Sequence, residues 1–363
     1  SKKGIGVHNG RLHRSLSQIQ IRLFEEVDGL DCMISTSSII EGVNTSAQNV
    51  VLWSNKNGKA KINDFTYKNI IGRGGRMFRH FVGDVFILEN PPQKTGTQLT
   101  LDIPDEVLGI LEVDTRKLNL TDEQNAKIIA YKQELIGLIG KENFNYIISN
   151  ERFSSSDTDA ILSMAKDVSG NLASWNGITM LNSPTLDSCD RILYKLIRLK
   201  PGNWGLEYRK VVAFIKIITK NWSKTMPELL DDLDEFDIDL DAFFQLERLV
   251  SYEMSSLIAD IEILYNRMSE ADEIDLSPAV TNFSNSFLPP LVCHLEEYGL
   301  PRMISRKLQR SGSFDFERQN VDIHDILREL SDVGVERLTA HCNEIDDFDR
   351  YILNYFYEGI DQG

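Results

Sequence analysis

No apolar run in this sequence approaches the roughly 18 residues needed to cross a bilayer. Its opening, SKKGIGVHNG, has no apolar signal core. Both absences argue against a membrane span or a membrane partner, and the expected location is cytoplasmic or nucleoid-associated. Cysteine is scarce: Cys32, Cys189, Cys293 and Cys342 are scattered without close pairing. That pattern fits a reducing compartment and buried small hydrophobes rather than a disulfide framework. Metal chemistry is not expected either. Cys293-His294 and His341-Cys342 lack a second pair at ligand spacing, and His8 and His13 lack a third ligand. The acidic run Glu228–Asp241 has no D-x-[DN]-x-[DN]-G loop and reads as a solvated face or interdomain loop. There is also no G-x-x-x-x-G-K-[ST] loop and no D-E-x-H-type box after a strand, so the chain carries no phosphate cradle of its own.

What is present is an ordinary globular composition, 42% hydrophobic and 26% charged, over 363 residues, enough for two or three domains. The net charge of −16 would argue against a nucleic-acid partner, but it averages over an asymmetry. Residues 1–100 hold 13 Lys+Arg against 8 Asp+Glu, whereas the remaining 263 hold 26 against 47. The basic share lies in one segment, and that segment also carries the glycine motifs.

The same segment alternates strand and helix signals. GIGVHN reads as the end of a strand and RSLSQIQIRLFEEV as an amphipathic helix with Leu16, Ile19, Leu23, Phe24 and Val27 at helical spacing. LDCMIST, NVVLWS and VGDVFILE read as short apolar strands, and DFTYKNIIGRGGRM as a helix opening at Asp64 and ending in glycines. Apolar strands separated by helices predict a parallel sheet covered on both faces. Pro91-Pro92 and QKTGTQ form a linker, after which the signals are mainly helical. The expected organisation is an α/β domain over 1–100, a linker and small winged-helix-like helical domain over 101–200, and a helical C-terminal domain over 201–363. FFQLERLVSYEMSSLIADIEILYNRM reads as one long helix whose Leu249, Met254, Leu257, Ile261 and Leu264 form a core stripe or a seam.

Four stretches of the basic segment carry chemistry. YKNIIGRGGRMFRH places Arg73 and Arg76 three residues apart among Gly72, Gly74 and Gly75, so both guanidinium forks leave one face of a helical turn with no bulk beside them. In STSSIIEGVN a strand ends at Thr36, offering the Ser35, Thr36, Ser37 and Ser38 hydroxyls and free N–H groups to an anion; serine capping of a helix reads equally well. VHNGRLHR sets Asn9 and Arg11 in a turn after a strand, suited to phosphate contact or to a plain polar turn on Asn9-Gly10. NKNGKAKIND is a hairpin signal through Asn57-Gly58, decorated by Lys56, Lys59 and Lys61 with Trp53 and Ile62 near its base; a solvated lysine hairpin is the plain alternative.

In this order, GIGVHNGRL…RLFEE, MISTSSIIEGVN and YKNIIGRGGR resemble the second RecA-like lobe of a superfamily 2 helicase of the Ski2-like branch, over roughly the first ninety residues. The resemblance implies the C-terminal part of an ATP-dependent nucleic-acid helicase or translocase, beginning within that lobe. A single strand of DNA or RNA would be its substrate and 3′-to-5′ its polarity. ATP with Mg²⁺ would be held mainly by a first lobe of the same protein, with Arg73 and Arg76 as arginine fingers. Glu41, Gly42, Asn44, Asn69 and Gly72 would lie near the nucleotide, and Asn69 stands where the family has glutamine. Asn9, Arg11, Ser35, Thr36, Ser37, Lys56, Lys59 and Lys61 would meet the nucleic acid, the hairpin acting as a wedge. The acidic helical region would offer a surface to a protein partner. Alone, these 363 residues are expected to show negligible ATPase. Two other readings remain: an ATPase sensor that recruits an effector, for instance in antiphage defence, and a non-catalytic nucleic-acid-binding remnant.

Overall fold

A computed structural model describes residues 4–9, 12, 14–26, 28–36, 47–57, 60–62, 64–72, 83–91, 122–155, 157–200, 202, 204–270, 273–318 and 321–360. The chain divides into two compact units. The first takes Ser1–Thr100 with Gly299–Pro301 and Ile352–Gly359; the second takes Leu101–Tyr298, Arg302–Tyr351 and Ile360–Gly363.

The first unit holds two short parallel ladders. Strand β1 (Ile5–His8) pairs with β2 (Cys32–Ser35) in the register Ile5↔Cys32 to His8↔Ser35. Strand β3 (Asn49–Leu52) pairs with β6 (Asp84–Ile87), from Asn49↔Asp84 to Leu52↔Ile87. Helix α1 (Arg14–Glu25) lies between β1 and β2 and packs on β1; its Ile19 is buried. A Cβ at Gly6 would meet Gln20 Oε1 of α1 at 3.1 Å and Leu30 Cδ1, in the loop after α1, at 2.7 Å, so glycine lets both approach the strand closely. The expected single sheet, covered on both faces, is not what the described residues form. No ladder joins the two pairs among them, and only one face is covered. β1 buries Gly6 and His8 but exposes Ile5 and Val7, while Val51 and its register partner Phe86 are both exposed. The two-residue alternation puts one set of side chains under α1 and the other outward.

Between β3 and helix α2 (Asp64–Ile71) lies the hairpin, β4 (Lys56–Asn57) antiparallel to β5 (Ala60–Lys61). Helix α2 opens at Asp64, as expected, and gives way to a turn at Gly72. It is described as far as Ile71, after which the Gly72 N–H donates to the Lys68 carbonyl, and Arg73 and Arg76 lie outside the described residues.

The second unit is helical: α3 (Asp122–Ile139), α4 (Lys141–Asn150), α5 (Thr158–Gly170), α6 (Asp190–Leu199), α7 (Tyr208–Ile218), α8 (Met226–Leu233), α9 (Leu240–Leu249), α10 (Ser255–Met268), α11 (Ser277–Ser284), α12 (Pro290–Glu297), α13 (Arg302–Arg310) and α14 (Ile323–Thr339), with the start of α15 (Asp347–Ile360). Sequence-local chemistry opens several of them. Asp157 accepts from the Asp159 and Ala160 N–H groups at the start of α5, and Asp239 from Ala242 N–H at the start of α9. Glu228 reaches back to the Thr225 N–H at 2.7 Å before α8. One apolar core runs from Tyr131 to Phe283, through Trp175, Trp204, Phe214 and Leu246. The long-helix reading resolves into α9 and α10 joined by a π turn, Val250–Met254. Met254, Leu257, Ile261 and Leu264 are core residues, with Leu249 packed against them, so the stripe is core.

The acidic run is largely a solvated face, as expected, with all its carboxylates but Glu228 exposed, and it has local structure of its own. It forms the end of α8, a 3₁₀ turn (Asp234–Phe236), a left-handed residue at Asp237 and the cap of α9. Its carboxylates have basic partners: Glu228 with Arg310 at 2.7 Å, Asp237 with Lys210 at 3.4 Å, and Asp232 with Lys224. Deeper in the unit, the Asp260 carboxylate is fully buried on α10 and accepts from the Ser154 N–H at 2.6 Å and the Ser155 N–H at 3.0 Å. Burial pushes its pKa up to about 6, opposed by those two bonds.

Candidate nucleic-acid interface

In parallel sheets, ligands meet the carboxyl ends of the strands, where the outgoing loops begin. Several residues singled out in the sequence stand there. β1 and β2 end together at His8↔Ser35, and the Thr36 N–H donates to the His8 carbonyl at 3.1 Å. That contact sets Asn9 beside Ser35 and Thr36 at one edge. Ser35 and Thr36 are exposed, while His8 is buried. The Asn9 side chain closes its own turn, its Oδ1 accepting from the Leu12 N–H at 3.0 Å. This is the turn-building role weighed for it.

At the carboxyl end of β3 the chain passes through Trp53 into the hairpin. The hairpin is tied down at its base. The Asn55 N–H donates to Glu89 at 3.0 Å, the Asn55 amide donates to the Asn90 carbonyl at 2.7 Å, and the Ile62 N–H donates to the Asn55 carbonyl at 2.8 Å. Ile62 is buried beneath it. Glu89 and Asn90 follow β6, so the base is anchored to the carboxyl end of the partner strand. In this register Lys56 stands directly opposite Lys61. Both are exposed, and neither has an acidic partner among the described residues. Like charges directly opposite each other destabilise a hairpin unless an anion lies between them. Beside them Trp53 is 79% exposed. Its exposure follows from strand alternation in NVVLWS, which turns Leu52 inward and Trp53 outward; the sequence reading placed Trp53 only near the hairpin base.

Of the nucleotide-side candidates, Asn69 and Gly72 are exposed at the end of α2. A Cβ at Gly72 would come within 3.1 Å of the Lys68 carbonyl, so a side chain there would crowd the helix end. Arg73, Arg76, Glu41, Gly42, Asn44, Arg11, Ser37 and Lys59 lie outside the described residues. Among the described residues there is no metal-ligand cluster, and no helix is long and apolar enough to cross a membrane.

No protein-family model matches the chain. A stretch of 153 residues, 42% of the chain, is 39% identical to part of Anti-bacteriophage protein B of Escherichia coli (strain K12). The match spans 19% of that protein, so the chain corresponds to about a fifth of the length of this curated relative.

Proposed function

We propose that this chain is the nucleic-acid-engaging part of an ATP-dependent helicase or translocase that acts in defence against bacteriophage. The observation that carries the reading is the carboxyl edge of the two parallel ladders. There, exposed hydroxyls at Ser35 and Thr36, an anchored hairpin with an unmatched Lys56/Lys61 pair, and an exposed Trp53 stand on strand ends of a basic segment. Phosphates suit the lysines and hydroxyls, and an indole face suits a base, which is how single strands are gripped without sequence preference. The order of motifs supports a second RecA-like lobe of the Ski2-like type. In that lobe Arg73 and Arg76 would reach an ATP and Mg²⁺ bound mainly by a first lobe of the same protein. Asn69, Gly72, Glu41, Gly42 and Asn44 would lie near that nucleotide. Closure on ATP would shift the grip at Ser35–Ser37 along one strand, so hydrolysis becomes movement.

The similarity to an anti-bacteriophage protein favours a second reading, in which the ATPase senses phage nucleic acid and recruits an effector without processive unwinding. The test for both is made in the full-length protein. Arg76→Ala is expected to cut nucleic-acid-stimulated ATPase by about 10³-fold or more while nucleic-acid binding stays near normal. Unchanged turnover rejects the arginine-finger role. Trp53→Ala and Lys56→Ala/Lys61→Ala are expected to weaken single-strand binding, the lysine variant with a flatter salt dependence. Strand displacement by the wild type selects the helicase; ATPase on DNA without displacement selects the sensor.

A further inference from the structure

Helix α9 and the π turn that follows it present an exposed line of side chains, Leu240, Phe244, Arg248 and Tyr252. Tyr252 is 71% exposed, and Leu240 and Phe244 are exposed as well. The opposite face of the same stretch is buried at Phe243, Leu246, Val250 and Met254. In an α-helix, positions four apart advance by about 40° around the axis per step, so a line of them drifts across the surface. The π turn, Val250–Met254, is wider and turns less per residue, which offsets that drift and keeps Tyr252 in line with Phe244 and Arg248. The Phe244 ring is set edge-on against the buried Phe243 ring, with centroids 5.7 Å apart, so the stripe has a firm footing in the core. Apolar residues scattered singly over a surface need no explanation, but three aligned on one helix face form a stripe.

Charge is distributed unevenly along this stripe. Just before its start the acidic run contributes Asp234, Glu235 and Asp239, all exposed and none in an ion pair among the described residues. In its middle stands Arg248, also exposed and without a carboxylate partner among the described residues. The acids on either side of Arg248 in sequence are already engaged. Glu247 accepts from Arg302 Nη1 at 2.7 Å, and Glu253 pairs with Lys200. The stripe therefore offers three apolar anchors, one free cation among them, and a negative end.

We infer that this stripe is a docking surface for an amphipathic helix of a partner protein. That helix carries an apolar face, a carboxylate within the face opposite Arg248, and cations at the end that lies towards the acidic run. Helices dock on one another through apolar anchors at this spacing. A charge in the seam fixes register, because an acid opposite Arg248 pairs with it, whereas any other alignment covers the guanidinium without a partner. The acidic end repels nucleic acid and anionic lipid. A second copy of this chain, with its net charge of −16, would bring further negative charge and an arginine instead of a carboxylate. The surface stands independently of the nucleic-acid reading.

The test titrates the 363-residue chain into a fluorescein-labelled synthetic helix and follows its anisotropy. The helix has leucines on one face, lysines at one end and a single glutamate in the centre of the leucine face; a peptide of the same composition in scrambled order is the control. The wild type should bind the patterned helix about tenfold more tightly than the scrambled one, and Tyr252→Ser should remove most of that difference. Arg248→Glu should weaken binding by a similar factor, and a helix with lysine in place of the central glutamate should restore it. Both side chains are exposed, so the unfolding midpoints of these variants should match the wild type. On the wild type alone the glutamate-centred helix should bind more tightly than the lysine-centred one, which decides the matter if a variant does not fold. The assignment falls if the wild type binds the patterned and scrambled peptides equally or binds neither, if Tyr252→Ser changes nothing, or if the lysine-centred helix fails to rescue Arg248→Glu. Sedimentation of the chain alone as a dimer that Arg248→Glu dissolves would put a second copy on the stripe and overturn it too.

Discussion

Asp260→Asn tests whether the interior of the helical unit carries an ionised carboxylate at a cost. The wild-type side chain is fully buried, accepts two backbone N–H bonds from Ser154 and Ser155, and has its pKa raised to about 6 from the ordinary 3.8. Because the folded-state value lies above the unfolded one, the fold binds this proton more tightly than the unfolded chain does. The ionised group therefore weakens the fold in full above about pH 6, and the penalty fades as pH falls towards 3.8. A shift of about two units corresponds to about 3 kcal/mol. Asparagine resembles the protonated acid in shape and neutrality, so it removes the titration while keeping one acceptor. Between about pH 7.5 and about pH 4.5 the stability of the variant relative to the wild type should fall by about 2 kcal/mol. Carboxylates held low by hydrogen bonds, such as Glu228, Asp275 and Asp346, titrate in the opposite sense but are common to both proteins and cancel. Urea unfolding at a series of pH values measures the difference directly. A difference that stays flat across that range would show that Asp260 titrates as an ordinary carboxylate and would refute the reasoning.

Two further substitutions probe the packing of the same unit. Lys307→Met strips the cation from the buried Asp349 and should cost about 3 kcal/mol in chemical denaturation, with Asp349→Asn in the same chain restoring part of the loss. At Asp237, where φ is 47° between the 3₁₀ turn and α9, Asp237→Val should cost about 1–2 kcal/mol because a branched Cβ clashes in the left-handed region, while Asp237→Gly should stay near neutral; equal losses in thermal unfolding would locate the effect in the exposed Lys210 contact instead.

The elements that were legible in the sequence owe it to short-range rules. The short apolar run NVVLWS placed β3, and Asn57-Gly58 marked the hairpin, although Asn57 itself pairs with Ala60 and the loop begins one residue later than that signal suggests. The 3.6-residue period of RSLSQIQIRLFEE placed α1, whose Ile19 is buried as that period requires. What escaped is long-range. Nothing local ties Glu228 to Arg310, 82 positions apart, so the acidic run read as solvated, which most of its carboxylates are, while its surface pairing with a distant helix could not be seen. A small cavity beside Arg306 is likewise lined from α7 and the loop after it, α8, α9, the loop after α11 and the middle of α13, and no window of sequence contains it. The same distinction bears on the candidate interface. By density of cations alone, α13 would be the strongest polyanion-binding stretch in the chain, yet Arg302, Lys307 and Arg310 are committed to carboxylates and Arg306 is buried. Lys56 and Lys61 are fewer but face each other in the open without acids. An ion pair already formed must be broken before a phosphate can use its cation, whereas two like charges held opposite each other gain from any anion that arrives. On the proposed reading, the hairpin rather than the more basic helix is therefore where an incoming strand would find charge that the fold has left to be neutralised.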